Sequence, residues 1–313
     1  MSLAFVFPGQ GSQAVGMGQA LAETFPVAKH TFEEVDDALE QHLSRLMFEG
    51  PEEDLRLTAN AQPALMAASL AAVRVLEAEG GKPLAERAAF VAGHSLGEYS
   101  ALAAAGSLEL ADAARLLRRR GQAMQEAVPV GEGAMAALLG LDLEPAQEIA
   151  EAAAEDQVCA AANDNAPGQV VLSGHTEAID RAMALAKERG AKRAVPLPVS
   201  APFHCSLMAP AADVMADALA AVAVKMPAVP LIANVTARRL SDPDEIRAKL
   251  VEQVTGMVRW RESVAFMAAE GVTKTVELGT GKVLSGLSKR IDRSLDAQSA
   301  GTPEEMESLL KQL

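Results

Sequence analysis

One pentapeptide limits the folds open to this chain more than any other feature. Gly93-His94-Ser95-Leu96-Gly97 falls between the apolar run Ala88–Ala92, read as a buried strand, and a helical pattern that continues through about Ala105. Glycines two residues on either side of a serine let a strand and a helix approach closely around a sharp, strained turn, with the hydroxyl standing at the helix N-terminus. There the helix dipole and free N–H groups favour developing negative charge. The motif asks for a strand–turn–helix unit and nominates Ser95 as a nucleophile. The plainer alternative is a tight turn without chemistry.

A serine nucleophile needs a base, and the chain has five histidines. His30 and His42 sit in charged helical stretches and read as surface residues. His94 adjoins the serine and so points elsewhere on the turn, as a packing or hydrogen-bonding group. His175 follows Gly174 after a strand and reads as a loop residue. His204 remains, in Ser200-Ala201-Pro202-Phe203-His204-Cys205, where Pro198 and Pro202 fix the loop. The residue pattern leaves a positioned base and a structural loop histidine equally open.

Along the chain, Leu3–Phe7 reads as a buried strand feeding the turn Pro8-Gly9, followed by a helical region from about Met17 to Gly80 with breaks near Pro26, Gly50-Pro51 and Gln62-Pro63. A further helix spans about Leu108 to Glu126. The next stretch alternates differently: strand-like Ala134–Leu139, helical Glu144–Ala154, strand-like Val158–Ala162 and Gln169–Ser173, helical Glu177–Glu188, and strand-like Lys192–Leu197. That order is β-α-β-β-α-β, the ferredoxin-like arrangement, with turns marked by Asn163–Gly168 and Gly190. The larger pattern then resumes with a helix at about Ser206–Val224, a strand near Leu231–Val235, helices after Asp242 and Arg261, a strand at Thr273–Leu278 and closing helices. The expectation is an α/β protein with a discontinuous domain, residues 1–129 plus 199–313, interrupted by a small domain at 130–198.

Composition narrows the function. With 28 Lys and Arg against 42 Asp and Glu in 313 residues, the net charge of −14 repels phosphate backbones and anionic membranes. No nucleic-acid or membrane partner is expected. Cys159 and Cys205 form no C-x-x-C pair and make neither a disulfide framework nor a four-ligand zinc site, which points to a reducing cytoplasm. The leading segment lacks a basic region and is cut by Pro8, so it does not read as a signal peptide, and no apolar run reaches spanning length. Gly9-Gln10-Gly11-Ser12-Gln13-Ala14 matches a relaxed dinucleotide fingerprint, but the acidic residue expected to end a second strand falls instead in the helical region Glu33–Asp37. Gly279-Thr280-Gly281-Lys282 lacks the Ser or Thr of a phosphate loop, and Cys205 beside His204 reads as a buried thiol.

Taken together, Phe7–Gln13, Gly93–Leu102, Arg120-Gly121 with Met124–Ala127, Phe203-His204 and Gly279–Leu284 resemble the bacterial malonyl-CoA:acyl-carrier-protein transacylases, in order and over essentially the whole chain. The resemblance implies an α/β-hydrolase-like core with a short parallel sheet and an inserted ferredoxin-like subdomain. It implies that Ser95 carries malonyl, that His204 is the base, and that the backbone N–H groups of Leu96 and Gln10 form the oxyanion hole. By the same resemblance Arg120 grips the malonyl carboxylate, Phe203 limits room for branched acyl groups, and the Gln253 carbonyl orients His204. Arg118 and Arg119 beside Arg120 include at least one solvated face. Asp242 or Asp244 at the histidine would instead make an ordinary esterase site.

The implied activity is two-step acyl transfer from malonyl-CoA to the phosphopantetheine thiol of acyl carrier protein, supplying fatty acid biosynthesis. It calls for no cofactor, metal or nucleotide. A serine esterase or thioesterase using the same elbow is the alternative, and a non-catalytic carrier-protein scaffold a more distant one. The basic residues Lys187, Arg189, Lys192 and Arg193 are expected to help dock the acidic carrier protein.

Overall fold

Leu3, Phe5 and Phe7 point to one side of their strand and Ala4 and Val6 to the other, and all five are buried, because helices cover both faces of the sheet that this strand centres. The computed structural model describes residues 2–313; Met1, the first residue of the leading segment, lies outside them. The strands are β1 (Ser2–Phe7), β2 (Phe90–Gly93), β3 (Gly133–Leu139), β4 (Cys159–Ala166), β5 (Gln169–His175), β6 (Arg193–Pro196), β7 (Leu231–Ile232), β8 (Arg239–Leu240), β9 (Val272–Leu278) and β10 (Asp296–Ala300).

The larger sheet has the order β10-β9-β1-β2-β7-β8, parallel except for the edge hairpin β7–β8. Helices Thr58–Gly80, Gly97–Ala104 and Leu110–Glu126 pack on the Phe5 side, and Trp260–Ala269 and Val283–Ile291 on the Val6 side. The smaller sheet is antiparallel, β4-β5-β3-β6, and is backed by Leu143–Ala154 and Thr176–Glu188. The mixed α/β class is as read, with one largely parallel and one antiparallel sheet. The two are tied: Asp164 N–H donates to Val258 O (3.0 Å), Val258 N–H to Ala162 O (2.9 Å), and Arg261 Nε to Asp164 Oδ2 (2.8 Å).

Several local readings are corrected. Asn163–Gly168 is not all turn: β4 runs to Ala166, because Val258 and Arg261 occupy the polar groups that suggested a loop. His175 ends β5, its Nδ1 accepting from Val158 N–H (2.9 Å), rather than lying in a loop. Pro63 does not break its helix, since burial of Thr58–Gly80 nearly all round outweighs one missing backbone bond. The helix at Ser206–Val224 is a 3₁₀ turn followed by Ala209–Ala220; the chain beyond bonds to Ala105 and Ser107 instead. The strand near Leu231–Val235 stops at Ile232, because Ala233 N–H closes a turn to Arg238 O and Asn234 N–H is drawn to Glu98. Edge strand β10 was missed among the closing helices; Asp296-Ala297-Gln298-Ser299-Ala300 has no β-branched residue, and β9 supplies its ladder.

Phe7 of β1 pairs with Gly93 of β2, so the two loops that leave these neighbouring parallel strands emerge together at one edge. The glycines of the elbow allow this. A Cβ on Gly93 would lie 1.8 Å from Gly97 O, and one on Gly97 2.2 Å from Phe7 O. The obstacle is backbone in both cases. Gly97→Ala is expected to destabilise the protein by more than the ~1–3 kcal/mol of ordinary overpacking, read as a lowered Tm, whereas Gly286→Ala, which would meet nothing within 4 Å, should leave Tm nearly unchanged.

Candidate active site

Ser95 sits between β2 and helix Gly97–Ala104 with φ 54°, a left-handed conformation costly for a residue with a Cβ. Side-chain amides hold it there. Ser95 N–H donates to Asn234 Oδ1 (2.8 Å), and Gln253 Nε2 donates to Ser95 O (3.0 Å). Asn234 Nδ2 also donates to Gly93 O (2.7 Å). Glu98, the second residue of the helix and 1% exposed, receives both clamps on Oε2: Gln253 Nε2 at 2.7 Å and Asn234 N–H at 3.3 Å.

The strain aims Ser95 Oγ at His204, whose Nε2 lies 2.7 Å away. His204 is itself held at φ 60°. Its Nδ1 is placed to donate to Gln253 O (2.9 Å) and Gly256 O (3.1 Å), which fixes the other ring nitrogen as acceptor for the serine proton. Asp242 instead caps its own helix and Asp244 pairs with Arg247, so neither orients His204. Burial first, then the nearby Arg120 charge, push the His204 pKa down to about 3, leaving the ring neutral at neutral pH.

Arg120 is 1% exposed and lies beside Ser95. Nη1 donates to Gln62 Oε1 (2.9 Å), Nη2 to Gln253 Oε1 (2.8 Å) and to Ser95 Oγ (3.2 Å), and the guanidinium faces the Tyr99 ring at 5.8 Å. Burial lowers its pKa, and Tyr99 and Glu98 oppose that shift. Arg119 is exposed, while Arg118 is half-buried with two nitrogens lacking partners among the described residues.

Gln10, Gly11, Ser95, Asn163, Phe203 and His204 contribute to one cavity of about 290 Å³. His94 N–H donates to Phe7 O (3.0 Å), and a Cβ on Gly9 would lie 2.7 Å from His94 O, so the Phe7–Gln10 loop is fastened against the elbow and Gln10 stands over it. Leu96 is buried at the start of helix Gly97–Ala104. His94 turns away from His204, its Nε2 against Asn165 Oδ1 (2.8 Å) and its ring beside Trp260. Cys205 is buried and its Sγ faces Pro202 O (3.2 Å).

Every residue singled out in the sequence for the site is therefore gathered at this elbow. Gln62, Glu98, Asn165, Asn234 and Gly256 were missed. Glu98 lay inside the motif block Gly93–Leu102 and carried that much signal; Asn234 carried none, because its partner is 139 positions away.

This arrangement, a serine elbow with a buried arginine and a carbonyl-held histidine, defines an acyl transferase. Residues 4–300 match the family model for the acyl transferase domain. The chain belongs to the malonyl CoA-acyl carrier protein transacylase family. It is 50% identical over 308 residues to the malonyl CoA-acyl carrier protein transacylase of Escherichia coli (strain K12), covering 98% of each chain. It is similar to the crystal structure of the acyl-carrier-protein-S-malonyltransferase from Bartonella henselae, with TM-score 0.97, 56% identity and 99% coverage of both chains. A third relative, a malonyl-transacylase solved in complex with its type II PKS acyl-carrier protein, has TM-score 0.97 and 44% identity and covers 100% of both chains.

The depressed His204 pKa has a direct consequence for stability. Between the unfolded value near 6.5 and the folded value of about 3, the unfolded chain binds a proton that the folded one does not, so this group's contribution is present above pH 6.5 and is lost as pH falls. In denaturant titrations from pH 7 to 4.5, His204→Gln should lose less stability per pH unit than the unaltered protein, and NMR should show the His204 ring still neutral at pH 5.

Proposed function

We propose that the protein transfers a malonyl group from malonyl-CoA, through a Ser95 ester, to the phosphopantetheine thiol of acyl carrier protein, supplying fatty acid biosynthesis. The observation that carries this reading is the Arg120 guanidinium 3.2 Å from Ser95 Oγ in a buried site. A permanent cation there suits an acyl group that ends in a carboxylate. Family membership and the relative solved with its acyl-carrier protein support the same donor and acceptor.

His204 Nε2 removes the Ser95 proton as Oγ attacks the thioester carbonyl. The tetrahedral oxyanion is met by the Leu96 and Gln10 N–H groups. Collapse expels the thiolate, which takes the proton back from His204 and leaves as coenzyme A. The phosphopantetheine thiol, deprotonated in turn by His204, attacks the ester and regenerates Ser95. Gln253 orients the base with a neutral carbonyl, so the group that holds His204 adds no charge beside Arg120. Burial chiefly holds the His204 pKa down and the Arg120 charge adds to it; an arriving malonyl carboxylate offsets that second influence, so the base strengthens as substrate binds. Phe203, 8% exposed on the cavity wall next to the base, restricts branching on the acyl group.

We read the larger unit, 1–129 plus 199–313, as an α/β-hydrolase-like catalytic domain and 130–198 as an inserted ferredoxin-like domain. The strand orders and the serine elbow support this. The steps use no cofactor; malonyl-CoA is substrate and phosphopantetheine arrives on the partner. The proposed location is the cytoplasm, where both cysteines stay reduced; no helix among the described residues is long and apolar enough to cross a membrane. Lys187, Arg189, Lys192 and Arg193 are exposed and supply a local basic surface for an acidic carrier protein despite the net charge of −14.

Mass spectrometry after mixing with malonyl-CoA should show one malonyl adduct, abolished in Ser95→Ala, and carrier-protein thiol should then collect the group; release as free malonate alone would make the protein an esterase. Arg120→Ala should lower malonyl transfer at least ~100-fold more than acetyl transfer, since a lost charged contact costs about 3 kcal/mol; equal losses would remove the carboxylate role. Charge reversal at Lys187 and Arg189 should raise KM for the carrier protein and leave acylation by malonyl-CoA unchanged.

A further inference from the structure

The proposed steps give no task to Glu98, a fully buried acid joined to the site on two sides. Its Oε2 accepts from Gln253 Nε2 (2.7 Å), and the other end of that same amide, Oε1, accepts from Arg120 Nη2 (2.8 Å). Glu98 and Arg120 are thus opposite ends of a single relay one amide long. Asn234 N–H is the second donor to Oε2. Among the described residues, the charged or titratable groups acting on Glu98 are Arg120, from helix Leu110–Glu126, and Tyr99 on its own helix. Burial pushes Tyr99 up to about 12, so its phenol stays neutral and Arg120 is the cation that Glu98 faces.

We propose that Glu98 is a positioning residue and the resident counter-charge of Arg120, and that it takes up a proton from solution when the malonyl carboxylate engages the guanidinium. This rests on the transacylase reading above. One buried cation cannot stabilise two carboxylates in a low-dielectric site as well as it stabilises one, so the arriving anion raises the cost of keeping Glu98 ionised. Burial already pushes the Glu98 pKa up to about 7, against the opposing pull of Gln253, Asn234 and Arg120, so both forms are accessible near neutral pH. Protonated on Oε1, Glu98 still accepts both bonds on Oε2. The clamp on Ser95 persists while the charge disappears. The serine proton leaves with the coenzyme A thiol, whose partial ionisation at pH 8 releases the same fraction of a proton from either acyl donor.

The test is single-turnover acylation in weakly buffered solution with a pH indicator, with the Ser95 adduct followed by mass. At pH 8 the unaltered protein should take up a fraction of a proton more for each malonyl bound than for each acetyl, the release from the coenzyme A thiol being common to both. Its second-order rate of malonylation should fall several-fold from pH 7 to 8.5 while acetylation does not. Glu98→Gln, which keeps an acceptor for Gln253 and Asn234, should abolish this extra uptake and flatten the malonylation profile. Retention of the extra uptake and slope in Glu98→Gln would overturn the proposal, as would equal uptake with malonyl- and acetyl-CoA. If Glu98→Gln fails to fold, as read by Tm, the malonyl-against-acetyl comparison in the unaltered protein decides. Absence of any malonyl adduct on Ser95 in the unaltered protein would instead refute the underlying reading.

Discussion

The left-handed backbone at Ser95 is the constraint on which the rest of this structure depends. It places a hydroxyl 2.7 Å from His204 Nε2, and it exists because neighbouring groups leave the chain no better course. Gly93 and Gly97 admit backbone where any side chain would collide. Asn234 then takes the serine N–H that a regular strand or helix would have paired, and Gln253 adds a second donor to the serine C=O, which also accepts from Glu98 N–H. Strain of this kind persists only where surrounding contacts over-determine it. Here the contacts come from β2, the turn after β7 and the helix Pro243–Thr255, so the elbow is a property of the assembled sheet and its helices.

The electrostatics follow from the same packing. Burial of His204, aided by the Arg120 charge beside Ser95, keeps the ring neutral, and neutral amides at Gln62 and Gln253 accept from two guanidinium nitrogens without using up the charge, while Nε has no partner among the described residues. A carboxylate in place of the Gln253 carbonyl would have raised the His204 pKa and drawn Arg120 toward itself. Two carbonyls, from Gln253 and Gly256, orient the ring at less electrostatic cost. The one buried carboxylate of this network, Glu98, is held a full amide away from the cation.

Much of this was legible in the chain. The Leu3–Phe7 run, the Gly-x-Ser-x-Gly spacing and the β-α-β-β-α-β alternation are local patterns whose physical meaning depends on a few neighbouring residues. Polar segments were misread wherever long-range partners decided the outcome. Asn163–Ala166 looks like a turn until Val258 and Arg261 are present to pair with it, and Asp296–Ala300 has no strand character apart from the ladder of β9. Asn234 shows the limit most plainly: an asparagine after a two-residue strand carries no mark of the serine it holds.

The sequence by itself determined the elbow, the α/β class, the β-α-β-β-α-β run and the serine that stands at the turn, because steric freedom at glycine and hydrophobic periodicity act over short distances. Tertiary structure alone decided that Arg120 rather than Arg118 or Arg119 turns into the site, that carbonyls rather than Asp242 or Asp244 hold His204, and that Glu98 stands behind the cation. Those outcomes depend on burial and on partners 25 to 158 positions apart. Burial sets the strength of each charge, and it is defined only once the chain has closed around it.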